Sequence, residues 1–319
     1  MIHLSIGVNT GLKRKKQGML LTVQKSKMLF ESSISFIGNI PIRDIKPDHI
    51  DTLLNSLTEK NPSTQRPTSK QYLIDVRNTA FDVFESAIDN NAIGKNPARK
   101  REISKYAPKR YRRALSQTEQ KLIVVTPHRA RIGALIMMLA GLRRGELIPL
   151  TWDDIDLDDF TIHVTKSVEE KRTNHFTIKS GTKTSWGRNI SIPLDLAIEI
   201  ETAKKESSSP YVCPRCNGDM HSPTSWRRMW NNYINTIIKT NKYASHTKIK
   251  EITSHYLRHT YATLLYISGV DVVTASKLLG HSNIKTTVEI YTHLDELMLK
   301  KSVDKLDDYV SRNLFPNRA

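Results

Sequence analysis

The sequence predicts a fold that is mainly α with a small antiparallel β-sheet, and three observations carry that expectation. Apolar residues recur at helical spacing through the first hundred positions, and again from Ser222 onward. Between these regions Phe160, Ile162 and Val164 alternate as a half-buried strand does. A basic, proline-punctuated stretch around residue 100 separates the two helical regions.

In chain order, residues 19–37 and 47–60 read as helices, the second through Ile50, Leu53, Leu54 and Leu57. The polar run Asn61–Lys70 reads as a loop, and Leu73, Val76, Phe81, Phe84 and Ile88 mark a third helix ending before Pro97. Ser116-Gln117-Thr118-Glu119 before Leu122-Ile123-Val124 has the form of a capping box. The apolar run Ile132–Leu142 is 11 residues long. That is about half of the roughly 20 a membrane span requires, so it reads as a buried helix ending at Gly141. Strands are expected at Phe160–Val164, 174–180 and 188–193, giving one short antiparallel sheet over 160–193. The predicted domains are 1–104 (helical), 105–113 (basic linker) and 114–319 (an α+β domain with a C-terminal tail).

The 319 residues suit two domains, and 38 % hydrophobic with 25 % charged residues is globular composition. Two cysteines cannot form a disulfide framework, which fits a reducing cytoplasm, and the N-terminus lacks a signal-peptide layout. The 49 Lys+Arg against 32 Asp+Glu leave a charge of +17. Residues 1–110 carry 19 Lys+Arg and 10 Asp+Glu, so the N-terminal third is about twice as densely positive as the rest. Such an excess favours a polyanion partner, with DNA, RNA and anionic lipid all open.

Four segments suit phosphoryl transfer on a diester: Gly141-Leu142-Arg143-Arg144-Gly145-Glu146, Lys183-Thr184, His255-Tyr256-Leu257-Arg258-His259, and Leu279-Gly280-His281 with Tyr291 ten residues on. Two arginines can clamp the oxygens of one phosphate in a fork geometry that lysine lacks. Fixed donors contribute most where charge develops on phosphorus. A tyrosine hydroxyl becomes a nucleophile once cations or a base assist it, and histidines serve acid–base exchange near neutral pH. None of these steps calls for a metal. Taken singly, each segment has an ordinary structural explanation, and their order and spacing supply the specificity. Cys213-Pro214-Arg215-Cys216 with His221 resembles half a zinc knuckle, with no fourth ligand nearby. The acidic run Asp153–Asp159 reads as a solvated turn rather than a metal site.

The chain is similar to the tyrosine recombinases of the phage integrase family. Their first-arginine motif appears as Ala140–Glu146 followed by Leu150-Thr151-Trp152-Asp153-Asp154-Ile155, with alanine in place of the usual threonine. Their second box appears as His255-Tyr256-Leu257-Arg258-His259-Thr260, and their third as Leu279-Gly280-His281-Ser282, Thr286-Thr287 and Tyr291-Thr292-His293. The resemblance covers about residues 112–310 and implies an N-terminal core-binding (SAM-like) helical domain joined to an α+β catalytic domain. It implies Arg143 and Arg258 on the scissile phosphate, His255 in acid–base assistance, and His281 either hydrogen-bonding the phosphate or supporting that exchange. It further implies Tyr291 as the nucleophile and Lys183 as the general acid, with Lys179 four residues away as the alternative. Glu146 is expected to support Arg143.

The implied activity is site-specific recombination of double-stranded DNA by an integrase of a phage or other mobile element, through a 3′-phosphotyrosyl link and without metal, ATP or other cofactor. The implied assembly is a homotetramer on two duplexes, to which DNA-bending or directionality factors can be accessory, and its place is the cytoplasm, away from membranes. The C-terminal tail, with Leu297 and Val303, is expected to dock on a neighbouring protomer. An arm-binding domain is expected to be absent, or to precede this chain. A type IB topoisomerase shares the chemistry, and a non-catalytic DNA-binding regulator is the competing class.

Overall fold

The computed structural model describes residues 39–60, 67–108, 113–172, 175–180 and 187–295. The chain divides into two compact units, Met1–Tyr111 and Arg112–Ala319. The helix expected over 19–37, the tail from Leu297 and Lys183 all lie outside the described residues.

The first unit is built on α1 (Pro47–Glu59) and α2 (Lys70–Asp89). Pro47 opens α1 where a missing N–H costs nothing, and Ser69 caps α2 by accepting the Tyr72 N–H at 3.4 Å. Ile50, Leu53, Leu54 and Leu57 meet Leu73, Val76, Ala80 and Phe84 in one apolar cluster, as the periodicity required. Asn96 folds the following chain back by donating to the Phe81 carbonyl at 3.0 Å and Glu85 at 2.8 Å. Ala107 is buried in the same cluster, and the Pro108 carbonyl accepts the Lys70 N–H at 2.9 Å.

The second unit opens on α3 (Gln117–Val125), whose expected capping box forms. Ser116 Oγ accepts the Glu119 N–H at 3.3 Å, and Glu119 accepts the Ser116 N–H at 2.8 Å. Glu119 is buried and also takes both arms of Arg113, at 2.5 and 2.6 Å. The apolar run forms α4 (Arg131–Leu139), buried from Gly133 to Met138, followed by the four-residue α5 (Arg144–Leu147). Strands β1 (Ile155–Asp156), β2 (Thr161–Val164) and β5 (Arg188–Ser191) make a three-stranded antiparallel sheet in the order β1-β2-β5. Here the structure departs from the single sheet expected. β3 (Lys166–Arg172) and β4 (His175–Ser180) pair separately as a hairpin, with Ser167 opposite Lys179. Lys166-Ser167-Val168-Glu169-Glu170 has a single apolar residue, Val168, which packs on the core, so the period-2 signal is missing there. The acidic run is a turn only at its end, where Asp156 accepts the N–H groups of Asp158 and Asp159, both at 2.9 Å; Asp154, in a short 3-10 helix, instead pairs with Lys166 at 2.9 Å.

Helices α6 (Leu194–Lys205), α7 (Pro223–Thr240), α8 (Ser254–Ile267) and α9 (Val272–Leu279) complete the frame, and residues 285–295 form a further helix, α10. The buried face of α7 carries Trp226, Trp230 and Tyr233, and the polar tips of the last two find partners, whereas Trp226 Nε1 has none among the described residues. Trp230 donates to the Ile252 carbonyl at 2.9 Å, and Tyr233 to the Ile123 carbonyl at 2.5 Å. α8 packs on α4, so the two arginine-bearing motifs are built on one buried core.

Gly133 lies where that core is tightest. A Cβ there would sit 2.7 Å from Cys213 Sγ, 2.9 Å from Trp226 and 3.0 Å from Leu147, all three themselves buried. Replacing a helical glycine by alanine ordinarily stabilises by about 1 kcal/mol, whereas overpacking a rigid core costs about 1–3 kcal/mol. Gly133→Ala is therefore expected to lower stability in urea denaturation. A raised midpoint would show that the core yields.

Candidate active site

Arg143 precedes α5 and is fixed by its own helix. Glu146 reaches back to accept the Arg143 backbone N–H at 2.8 Å and its Nη1 at 2.7 Å. The other arm, Nη2, donates to the Gly280 carbonyl at 2.7 Å. Arg258, in the second turn of α8, is buried and donates Nη1 to the Gly141 carbonyl at 2.5 Å and Nη2 to the Leu279 carbonyl. Leu279 and Gly280 end α9, where carbonyls lack helical partners. Gly280 takes a left-handed conformation (φ 60°), and the next N–H, of His281, bonds back to the Ser276 carbonyl at 3.0 Å. One helix end thus orients both arginines and delivers His281 beside them.

Glu146 binds these parts together. Arg188, at the start of β5, donates to both its oxygens at 2.9 and 2.8 Å. Burial alone would raise the Glu146 carboxyl, but the Arg188 hydrogen bonds and charge, aided by Arg143, hold it down at about 2. The Arg258 guanidinium is lowered to about 9 by burial and by the neighbouring Arg143 charge, and stays protonated at neutral pH. His281 is half-buried, with Nδ1 2.8 Å from the hydroxyl of buried Thr287. Burial, then the charges of Arg258, Arg143 and Arg188, push it down to about 4, so its ring is neutral at pH 7.

Of the side chains expected from the sequence, the structure brings Arg143, Arg258 and His281 together. His255 is exposed on the first turn of α8 and close enough for its charge to act on His281. Tyr291 is placed differently. Its hydroxyl donates to the Val270 carbonyl at 3.0 Å, and its ring meets Tyr266 edge-on at 5.0 Å. Burial, Asp271 and Tyr266 all raise its pKa, and none of the arginines is among the groups acting on it. The Tyr266 hydroxyl is in turn hydrogen-bonded to Asp295 on α10. Lys183 lies outside the described residues, and Lys179 on β4 pairs with Glu169 across the hairpin.

Arg188 was legible only as a strand landmark, because an arginine opening a strand is ordinary and its partner lies 42 positions earlier. The zinc-knuckle residues do not converge. Cys213 is buried against Gly133, and His221 has Ser225 at 2.9 Å and the Pro214 carbonyl at 3.2 Å on its two ring nitrogens. Among the described residues no group of three His, Cys, Asp or Glu is placed to hold a metal, and no helix is long and apolar enough to cross a membrane.

Two guanidinium groups fixed on one helix end beside a neutral imidazole make a positively charged site suited to an anion. The chain belongs to the phage integrase family, the tyrosine recombinases, which break and rejoin DNA; the family's model matches residues 108–298. A tyrosine recombinase XerC-like protein of Caldanaerobacter subterraneus is 28 % identical over 319 residues, covering 92 % of this chain and 77 % of that one. Against other curated relatives the match spans between 54 % and 64 % of their length. Among solved structures, the Tn1549 transposon integrase in complex with a circular intermediate DNA superposes with a TM-score of 0.74 at 18 % identity, over 91 % of this chain and 95 % of that one. A lambda integrase tetramer bound to a Holliday junction gives 0.62 at 18 % identity, over 89 % and 78 %.

The buried Glu146 ties stability to pH. Its native pKa of about 2 lies below the ordinary 4.5, so the unfolded chain binds the extra proton between those values. The stabilisation is complete above pH 4.5 and disappears as pH falls toward 2. It amounts to about 3 kcal/mol at neutral pH. Glu146→Gln should be less stable than the parent at pH 7 by an amount of that order, with the gap closing in acid. A gap independent of pH would mean that the carboxylate's ionisation is not the cause.

Proposed function

We propose that this chain is a site-specific DNA recombinase, an integrase of a mobile element, that cuts and reseals duplex DNA through Tyr291. The observation that carries the reading is the fixing of Arg143 and Arg258 by carbonyls of one helix end, with His281 as the next residue. In this reading the two guanidinium groups hold the non-bridging oxygens of the scissile phosphate and stabilise the five-coordinate transition state. Neutral His281, held through Thr287, adds a hydrogen bond to the same phosphate, and His255 exchanges protons with the reacting oxygens.

The Tyr291 oxygen attacks phosphorus while the bond to the 5′ oxygen breaks, leaving a 3′-phosphotyrosyl link. Lys183 delivers the proton to the departing 5′ oxygen. The diester is conserved in that link, so the freed 5′ hydroxyl of a second strand can reverse the step with neither metal nor ATP. Attack requires Tyr291 to leave the Val270 carbonyl and turn toward the arginines. Residues 1–104 and the basic linker 105–113 would grip the duplex backbone, and four protomers on two duplexes would complete an exchange in the cytoplasm, with DNA-bending or directionality factors as accessories.

A nicked suicide duplex built on the repeats flanking the gene tests the chemistry. The parent chain should form an adduct that survives denaturation, and Tyr291→Phe should form none while binding the duplex as tightly. Persistence of the adduct in that variant would move the nucleophile elsewhere. Duplex affinity should fall steeply with added salt, by about 1000-fold or more between 50 and 200 mM if six or more phosphates are contacted. A shallow slope would count against backbone gripping by the basic residues.

A further inference from the structure

Arg188 has no part in the chemistry above, yet it occupies the centre of the site. Its side chain is 12 % exposed and forms a fork-to-fork pair with Glu146. Its Cδ, Nε and Cζ lie 2.8–3.0 Å from where a Cβ on Gly280 would sit, so the guanidinium is pressed against the end of α9. Its Nε is buried and has no hydrogen-bond partner among the described residues. Both of its terminal nitrogens face one carboxylate and the third is enclosed, so its fork is turned onto Glu146, whereas Arg143 gives Glu146 a single arm. Pairing with Glu146 stabilises the ionised carboxylate, but it does not call for a place against Gly280 with an enclosed, unpartnered Nε, which is costly.

We propose that Arg188 is a positioning residue: by taking both oxygens of Glu146 it leaves Arg143 with uncancelled positive charge for the phosphate, and by lying against Gly280 it fixes the helix end that carries His281. The proposal rests on the phosphate-site reading of Arg143, Arg258 and His281. The charge count explains the first effect. With Arg188 present, Glu146 and its two arginines sum to +1, and Arg258 adds another. Without Arg188, the Arg143–Glu146 pair sums to zero and only Arg258 remains to meet the anion. The second effect is geometric, since the Gly280 carbonyl orients Arg143 and the Leu279 carbonyl orients Arg258. Arg188 also contributes to keeping His281 neutral.

The test compares the full chain with Arg188→Met, Arg188→Lys and the double variant Glu146→Gln/Arg188→Met. It uses duplex affinity, adduct rate on the nicked duplex, and the His281 titration midpoint by NMR without DNA. Arg188→Met should bind the duplex with little change and form adduct about 100-fold more slowly, as a misplaced catalytic group does. Its His281 midpoint should rise above the parent's. Arg188→Lys should recover part of the rate and most of the His281 midpoint, because it returns the charge without the fork. The double variant removes both buried partners and keeps the comparison available if Arg188→Met does not fold; it should lose rate to no greater extent than Glu146→Gln alone. A parent-like rate and an unmoved His281 midpoint in Arg188→Met overturn the proposal, as does a double variant whose loss is the product of the two single losses. A parent chain that forms no adduct defeats the recombinase reading instead, and the DNA-free His281 titration then decides whether Arg188 acts on that residue.

Discussion

Everything at the site depends on one buried carboxylate. Glu146 accepts a backbone N–H and one arm of Arg143, and both arms of Arg188. Without those donors a carboxylate at this depth would take up a proton rather than remain charged. With them it stays ionised and becomes the fixed point from which the arginines are measured. The cost of burying the charge is offset locally, by groups that the site needs for other reasons. This economy explains how α5, one turn long, can hold a precise geometry: its position comes from the ions around it and the core beneath it.

The surrounding electrostatics follow from that arrangement. Three guanidinium groups surround a single acid, so the cluster has a net positive charge before any ligand arrives. Such a site selects anions by default. It also helps burial keep His281 in the neutral form, since a further positive charge there would be repelled by all three guanidinium groups. The Nδ1 of this neutral imidazole is engaged by the Thr287 hydroxyl, and in the tautomer where Nδ1 accepts that bond, Nε2 carries the proton.

Much of this was legible in the sequence, for identifiable reasons. Helices α1 and α2 and the capping box at Ser116 and Glu119 are local patterns, and they formed where periodicity and spacing placed them. The arginine and histidine motifs were readable because each is contiguous. Two things were not. The hairpin strand Lys166–Arg172 has Val168 as its one apolar residue, so no alternation betrays it. The pairing of Arg188 with Glu146 spans 42 residues and depends on how β5 meets α5, a relation that only the tertiary fold creates. The resting partner of Tyr291 was equally hidden, because a tyrosine's spacing from its motif fixes which helix carries it and says nothing of where its hydroxyl points.

The use of carbonyls at Gly141, Leu279 and Gly280 to aim both arginines has a consequence for how such a protein tolerates sequence drift. A main-chain acceptor is supplied by any amino acid, so the aim of the guanidinium groups does not depend on the chemical identity of most residues that provide it. The constraint collapses onto a few positions. Gly280 must adopt a left-handed turn with Arg188 against it, and Gly141 has φ 68° with Tyr261 2.2 Å from where a Cβ would stand. Elsewhere the scaffold is free to change its side chains while the acceptors stay in place. A fold shared at 18 % identity is what that freedom permits.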